Sequence, residues 1–414
     1  MHGTPFFQRL AFSQAFVAQY IKRIISYEMF QTVRRNGVET AGKPRLVFVG
    51  GGHVHVYSLK YADRFVRAGV DVVLIGPDRF HYYSGMGPGM LSRIYEPRQV
   101  RFDIQTMIES QGGKFIRGRV ASVDPSRRHV VLETGEEVPY DVVSFNVGSY
   151  VPMDLVPGAA DEAYPVKPIE RLEDVRGRIL ERVRDGIPKI LVIGAGPAGV
   201  ELAGNVWRLV TEHNGRSEIT IASSRDDVLP AISRRARECA RRSLVGRGIR
   251  VLTNYRVASM RDGVAISQAG DSVAYDIAVL TIGIRPKGVF AGSGLDTADD
   301  GSLLVNEYLQ STSHPDVFGG GDCIAMKGRR IDRVGVYAVR EAPILFLNLM
   351  ARLNGDSLKA FIPQARYLLI FNLGDGNGLL VRHPVVIRAK WAFAMKDYID
   401  RKFMSKYQIS EKAR

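Results

Sequence analysis

Apolar residues run together in short blocks along this chain, and two of those blocks stop at a cluster of glycines. Leu46-Val47-Phe48-Val49 leads straight into Gly50-Gly51-Gly52. Consecutive apolar positions, without alternation, predict a strand covered on both faces, as in a parallel sheet. A helix-like stretch follows, then a second strand over Val70 to Ile75. The pattern returns after residue 188, where Lys189 to Ile193 predicts a strand, Gly194 to Gly199 a loop, Val200 to Val210 a helix and Glu218 to Ala222 the next strand. Between the two units, Val130 to Val138 reads as a hairpin turning at Thr134-Gly135, followed by a strand from Asp141 to Val147. Near the end, Tyr367 to Leu373 and Leu379 to Val381 predict two strands about the turn Gly374-Asp375-Gly376-Asn377-Gly378. Lys390 to Tyr407 has helical periodicity that should bring Trp391, Met395, Tyr398 and Phe403 near one another.

The first 44 residues follow another pattern. Phe6, Phe7, Leu10, Phe12, Phe16, Tyr20, Ile21, Ile24, Ile25 and Phe30 interleave with Arg9, Lys22, Arg23, Arg34 and Arg35, and only Glu28 and Glu39 oppose that charge. The segment reads as a basic helix with an aromatic face, for which docking on the body, lying on a membrane and targeting all stay open. The length of 414 residues exceeds one ordinary core and implies two or three domains. With 45% hydrophobic and 24% charged residues the chain is globular rather than disordered. A net charge of +14 suits nucleic acid, an anionic membrane surface or phosphate-bearing cofactors. No zinc-finger spacing, RNP motif or lysine block accompanies it, so nucleic acid is not expected as a partner. No apolar run reaches the roughly 18 residues of a bilayer-spanning helix. Two cysteines, Cys239 and Cys323, offer neither a disulfide framework nor a C-x-x-C redox pair.

The glycine loops carry the chemistry. A pyrophosphate needs close backbone approach and N–H donors at a helix N-terminus. Gly194-Ala195-Gly196-Pro197-Ala198-Gly199 is a full G-x-G-x-x-G between strand and helix, which assigns Gly194, Gly196 and Gly199 to a dinucleotide. In the first unit Gly50, Gly51, Gly52 and the adjacent His53 take that place, but His55 occupies the third glycine position. Two histidines in a loop, without further ligands, do not make a metal site, and none is expected. The acidic residue that usually holds the ribose hydroxyls is Asp78 in the first unit. In the second, the strand ends Ala222-Ser223-Ser224-Arg225 with no carboxylate at its tip, which leaves NADH or NADPH open.

Two later segments complete the pattern. Asp276 to Pro286 is a strand running into a turn at Gly283, and Thr312 to Asp322 ends in Gly319-Gly320-Gly321-Asp322. Over roughly residues 45 to 345 this order resembles the FAD-dependent pyridine nucleotide-disulfide oxidoreductase superfamily. The resemblance implies an α/β fold with two Rossmann-like dinucleotide-binding domains. The FAD domain would span 45–157 and 287–345, the NAD(P) domain 158–286, and 346–414 would form a C-terminal αβ segment at a membrane interface or in a homodimer. It assigns Gly321 and Asp322 to the flavin ribityl chain, Gly148 to a crossover close to the cofactor, and Ala338 and Val339 to a helix capping the flavin's pyrimidine edge. Without paired cysteines, the disulfide-reductase branches fail. The branch most similar is the type II NADH:quinone oxidoreductases, in which the position of Glu201 presents a catalytic carboxylate towards nicotinamide and flavin. Arg340 and Glu341 stand where those quinone reductases usually carry glutamines. Trp391, Lys396-Asp397, Ile399-Asp400 and Phe403-Met404 resemble the close of a subgroup that includes members fused to selenophosphate synthase. The expectation is hydride transfer from NAD(P)H through FAD to a quinone-like acceptor, in a cytoplasmic or organellar interior, with peripheral membrane contact. A sulfide:quinone oxidoreductase, or a redox-sensing flavoprotein of the apoptosis-inducing-factor type, stands as the alternative.

Overall fold

Two five-stranded parallel sheets organise the computed structural model, which describes residues 42–408. The expected basic N-terminal helix therefore lies outside the described residues. The first sheet runs in the order Val317–Gly319, Val142–Phe145, Arg45–Val49, Asp71–Gly76, Lys114–Arg117. Its central strand pairs Val47 with Val73 on one side and Val143 on the other. Leu46, Val47 and Phe48 are fully buried, which is why this strand is apolar at every position rather than at alternate ones. Helix α1 (His53–Lys60) leaves the glycine loop directly.

The second sheet repeats the plan. Its order is Ala163–Pro165, Ile277–Leu280, Lys189–Ile193, Glu218–Ala222, Arg250–Leu252, again with the loop-bearing strand third of five. Helix α2 (Pro197–Glu212) leaves that loop. It begins inside the segment expected to be loop, because proline at the first helical turn needs no N–H partner and already has a helical φ. Each sheet is followed by a three-stranded antiparallel meander, over 120–139 in the first unit and 257–274 in the second. The predicted hairpin is thus two strands of a meander whose third member, Val120–Asp124, reads as irregular in sequence.

Helix α3 (Gly335–Asn354) returns the chain against α1, with the Phe346 ring 5.6 Å from Tyr57 and 4.9 Å from Phe65. Burying an aromatic ring of this kind stabilises by about 1.5–3 kcal/mol. The C-terminal segment is an antiparallel sheet of Leu369–Asn372, Gly378–Arg382 and Val385–Ala389, closed by helix α4 (Lys390–Tyr407). The third strand was not expected, since its charged and exposed positions give only a weak period of two. The clustering expected on α4 also needs correction. Trp391 and Tyr398 are half exposed, whereas Phe403 points inward to rings of Tyr83 and Phe102. The buried face of α4 instead carries Ala392, Asp400, Met404 and Tyr407.

Backbone contact ties this segment to the second unit. A Cβ on Gly204 of α2 would stand 2.2 Å from the Leu373 carbonyl oxygen, and one on Gly374 would stand 2.1 Å from that of Gly204. Only two glycines allow the strand turn and the helix to meet this closely. Asn205 bridges the same seam, donating to Glu201 O at 2.7 Å and Asn372 O at 3.2 Å.

Candidate functional site

Both nucleotide loops begin in a conformation that favours glycine, with φ of +85° at Gly50 and +107° at Gly194. Both lead to helices whose N-caps, Gly52 and Gly196, carry no side chain to satisfy the first N–H groups. In the first helix Asn146 takes Val54 N and Gly52 O takes His55 N; the remaining groups of the two helix starts suit an anion.

Asn146 holds the first loop in place. Its Oδ1 accepts from Val54 N at 3.1 Å and its Nδ2 donates to Gly320 O at 2.6 Å. A Cβ on Gly52 would meet that Oδ1 at 2.1 Å, and one on Gly321 would meet the Nδ2 at 2.6 Å. One buried amide therefore joins the first loop, the crossover strand and the Gly320-Gly321 turn. His55 explains how the loop does without its third glycine. The ring is fully buried, with Nδ1 2.5 Å from Gly50 O and Nε2 2.8 Å from Ser144 Oγ, so it braces the loop from beneath.

At the late motif, Gly321 N donates to Glu341 Oε2 at 2.6 Å. Asp322 Oδ2 accepts from Lys167 Nζ and from Ser149 Oγ, each at 2.7 Å. Burial opposes ionisation of Asp322, but Lys167 and Ser149 outweigh it and hold the carboxyl below its usual range. Gly321, Asp322, Tyr337, Ala338 and Glu341 line a cavity of about 410 Å³. Val339 is not among its lining residues, although it adjoins Ala338. Glu341 is 2% exposed, and burial raises its carboxyl to about 7 against the Gly321 hydrogen bond. The charged residue in place of an amide is thus a bracing group for the Gly321 backbone.

A third cluster joins both units to the C-terminal segment. Glu201, one turn into α2, accepts from Asn372 N at 2.7 Å. Burial raises its carboxyl to about 7, while the Lys396 charge and that hydrogen bond pull the other way. Lys396 Nζ donates to Asp400 Oδ2 at 2.6 Å and to Gly85 O at 2.8 Å. Asp400 Oδ1 in turn accepts from Tyr83 OH at 3.1 Å. Burial would discharge Lys396, yet Asp400 and Glu201 raise it, so it stays a cation. Next to Tyr83 lies His53, whose Nδ1 is 3.2 Å from His81 Nε2 and whose own Nε2 is buried with no partner in the protein. Loss of solvent lowers His53 to about 4 despite the Asp322 carboxylate, so both rings are neutral near pH 7.

The remaining residues singled out in the sequence fall at the edges of these clusters. Asp78 lies just past the second strand of the first unit and is ion-paired with Arg117 at 3.2 Å, both exposed. Gly148 and Gly283 lie in the two crossovers, which meet as Ser149–Tyr150 paired with Arg285–Pro286. Cys323 is fully buried and points at the Phe145 and Gly320 carbonyls; burial pushes its thiol up to about 12. Among the described residues no cluster of His, Cys, Asp or Glu suits a metal ion. Sequence reasoning missed Asn146, Lys167, Tyr83 and His81, and used Lys396 and Asp400 only as part of a resemblance. A polar Asn146 closing an apolar strand, and a Lys396/Asp400 pair four apart on a buried helix face, were the available signals.

These residues fit a bound FAD and a nicotinamide dinucleotide. The two glycine loops, each leading into a helix with a glycine N-cap, suit two pyrophosphates. The 410 Å³ cavity beside Asp322, and the orphaned His53 Nε2, await a polar group.

The two carboxyls raised to about 7 have a consequence for stability. Between an unfolded pKa of about 4.3 and about 7, the folded state binds the additional proton. Stability then falls as pH rises through that window. Glu341→Gln keeps an acceptor for Gly321 N and removes the ionisation. Its melting temperature is expected to exceed that of the parent at pH 8 and to match it near pH 5. Parallel melting curves from pH 5 to 9 would refute this assignment.

Comparison with known proteins gives a consistent result. Residues 44–342 match the family model described as pyridine nucleotide-disulphide oxidoreductase. The chain is 28% identical to ferroptosis suppressor protein 1 of Taeniopygia guttata, over 84% of this chain and 93% of that protein. It is 24% identical to the alternative NAD(P)H-ubiquinone oxidoreductase C1, chloroplastic/mitochondrial, of Arabidopsis thaliana, over 77% of this chain and 69% of that one. Its fold is similar to that of NDH2 from Plasmodium falciparum in complex with NADH, with a TM-score of 0.74 at 14% identity, covering 89% of this chain and 98% of that one. The narrower resemblance to members fused to selenophosphate synthase draws no support from these relatives.

Proposed function

Because the chain belongs to the pyridine nucleotide-disulphide oxidoreductase family, we propose that it is an FAD-dependent enzyme that takes hydride from NAD(P)H and reduces a quinone. FAD lies on the Gly50 loop with Asn146, Asp322 and Glu341 fixing its surroundings, in a domain spanning 45–157 and 287–345. NAD(P)H lies on the Gly194 loop, in a domain spanning 158–286. When bound, FAD supplies the chemistry of accepting a hydride and releasing two electrons. The protein positions the partners and manages the proton. Reducing a quinone to a quinol with NAD(P)H consumes one proton from outside the nucleotide. Glu201 holds a proton near pH 7 under the charge of Lys396, which is bonded to Asp400 and through it to Tyr83 on the FAD side. That junction of both units with the C-terminal segment is the observation that carries the proposal.

The named relatives support a quinone as acceptor, one of them being an NAD(P)H-ubiquinone oxidoreductase. Sulfide is disfavoured as donor, because the buried Cys323 thiol is held protonated and Cys239 lies on the Arg234–Val245 helix of the other unit. Among the described residues no helix is long and apolar enough to cross a membrane. Half-exposed Trp391 and Tyr398, with Lys390 and Lys402 on the same helix, support contact of α4 with an anionic membrane surface, with a second copy of the chain as the competing occupant. The function is tested by anaerobic turnover with a soluble ubiquinone analogue. One quinol should form per NAD(P)H consumed; consumption of NAD(P)H without quinol would remove the quinone from the proposal.

A further inference from the structure

We propose that the enzyme prefers NADPH to NADH, and that Ser224 and Arg225 form the subsite for the 2′-phosphate. The inference rests on the reading of the Gly194 loop as the dinucleotide site and names which dinucleotide it takes.

The strand Glu218–Ala222 runs beside Lys189–Ile193 with Ala222 opposite Ile193, and Gly194 N donates to Ala222 O at 2.9 Å. Its tip therefore adjoins the loop, where the adenosine ribose comes to rest and where a carboxylate selects a free 2′-hydroxyl. This chain places Ser223, Ser224 and Arg225 there. Their backbone is fixed: Tyr255 N donates to Ser223 O and Asn254 N to Arg225 O, each at 2.8 Å. Ser223 Oγ is turned inward, donating to Asp227 O at 2.8 Å. Ser224 and Arg225 remain exposed, and among the described residues Arg225 has no ion-pair partner.

Two carboxylates follow in sequence, an exposed Asp226 and a half-buried Asp227. Asp227 Oδ1 accepts from Val228 N at 2.8 Å and lies 3.6 Å from Arg241. Asp226 is 3.9 Å from Arg237. The segment bearing them is held over the loop by Leu229 N donating to Ala195 O at 2.7 Å. From Arg225 to Arg242 the chain carries six arginines against three carboxylates, Asp226, Asp227 and Glu238. This excess of positive charge would attract a 2′-phosphate, whose charge at pH 7 is about −1.5 to −2, and a planar guanidinium suits its oxygens.

The test is calorimetric titration of the FAD-loaded protein with 2′,5′-ADP and with 5′-AMP, followed by kcat/KM for NADPH and NADH. The expected result is about 10-fold tighter binding of 2′,5′-ADP and a matching preference for NADPH. Arg225→Ala brings the two ligands to within about twofold, and Ser224→Glu reverses their order. Equal binding by the parent protein, or tighter binding of 5′-AMP, overturns the NADPH assignment while leaving the loop as the dinucleotide site. If neither ligand binds, the reading of the loop itself fails, and the assignment with it.

Discussion

Gly196→Leu is expected to lower NAD(P)H-driven reduction by roughly 100-fold or more while leaving FAD bound and the fold intact; misplacement of a reacting partner by even an ångström carries a cost of that order. A Cβ on Gly196 meets nothing within 4 Å, so the leucine enters space the protein does not use and a dinucleotide would. The neighbouring glycine is different. A Cβ on Gly199 would stand 1.9 Å from the Gly194 carbonyl oxygen, so Gly199→Ala should lower the melting temperature sharply. The pair separates a residue kept small for a ligand from one kept small for packing. Anaerobic bleaching of the flavin in Gly196→Leu at the parent rate would show that this loop is not the nicotinamide-dinucleotide site.

The second large effect concerns the buried pair on α4. Lys396 and Asp400 side chains are only 13% and 6% exposed. Removing one partner of such a pair typically costs about 3–5 kcal/mol, because the other charge stays buried. Lys396→Met is expected to be destabilised on this scale at neutral pH. The deficit should shrink as pH falls and Asp400 takes a proton, and Lys396→Met combined with Asp400→Asn should recover part of it. The lysine also lowers the Glu201 carboxyl from a still higher value. Without it, Glu201 holds its proton to higher pH, and the alkaline limb of turnover should move upward. Melting curves and a pH–kcat profile check both effects, and an unshifted profile would separate Lys396 from the chemistry.

The parts legible in sequence were those written in neighbouring residues. Leu46 to Val49 and Lys189 to Ile193 declare buried strands because both their faces are covered, and each stops at a glycine that the turn requires. The bounds of α4 were equally readable, but which face it buries was not. Phe403 turns inward because Tyr83 and Phe102 receive it, and nothing local to α4 reveals that. The bracing residues were hidden for the same reason. Asn146 meets Gly320 across 174 residues of sequence, and Lys167 meets Asp322 across 155. His55 reads in sequence as a departure from the glycine motif, and only across the fold do its two ring nitrogens meet Gly50 and Ser144. Glu341 looked like a departure from an amide, and it is the acceptor that holds Gly321. Val385–Ala389 escaped because an edge strand with exposed charges has little period to read.

In the proposed reaction electrons pass from NAD(P)H through a bound flavin to a quinone. Its most direct test is sequential anaerobic mixing of the FAD-loaded protein, first with one equivalent of NADPH and then with a ubiquinone analogue. The flavin should bleach completely in the first mixing and recover its full colour in the second. A flavin that NADPH and NADH leave oxidised while sulfide bleaches it would rule out NAD(P)H as the electron donor.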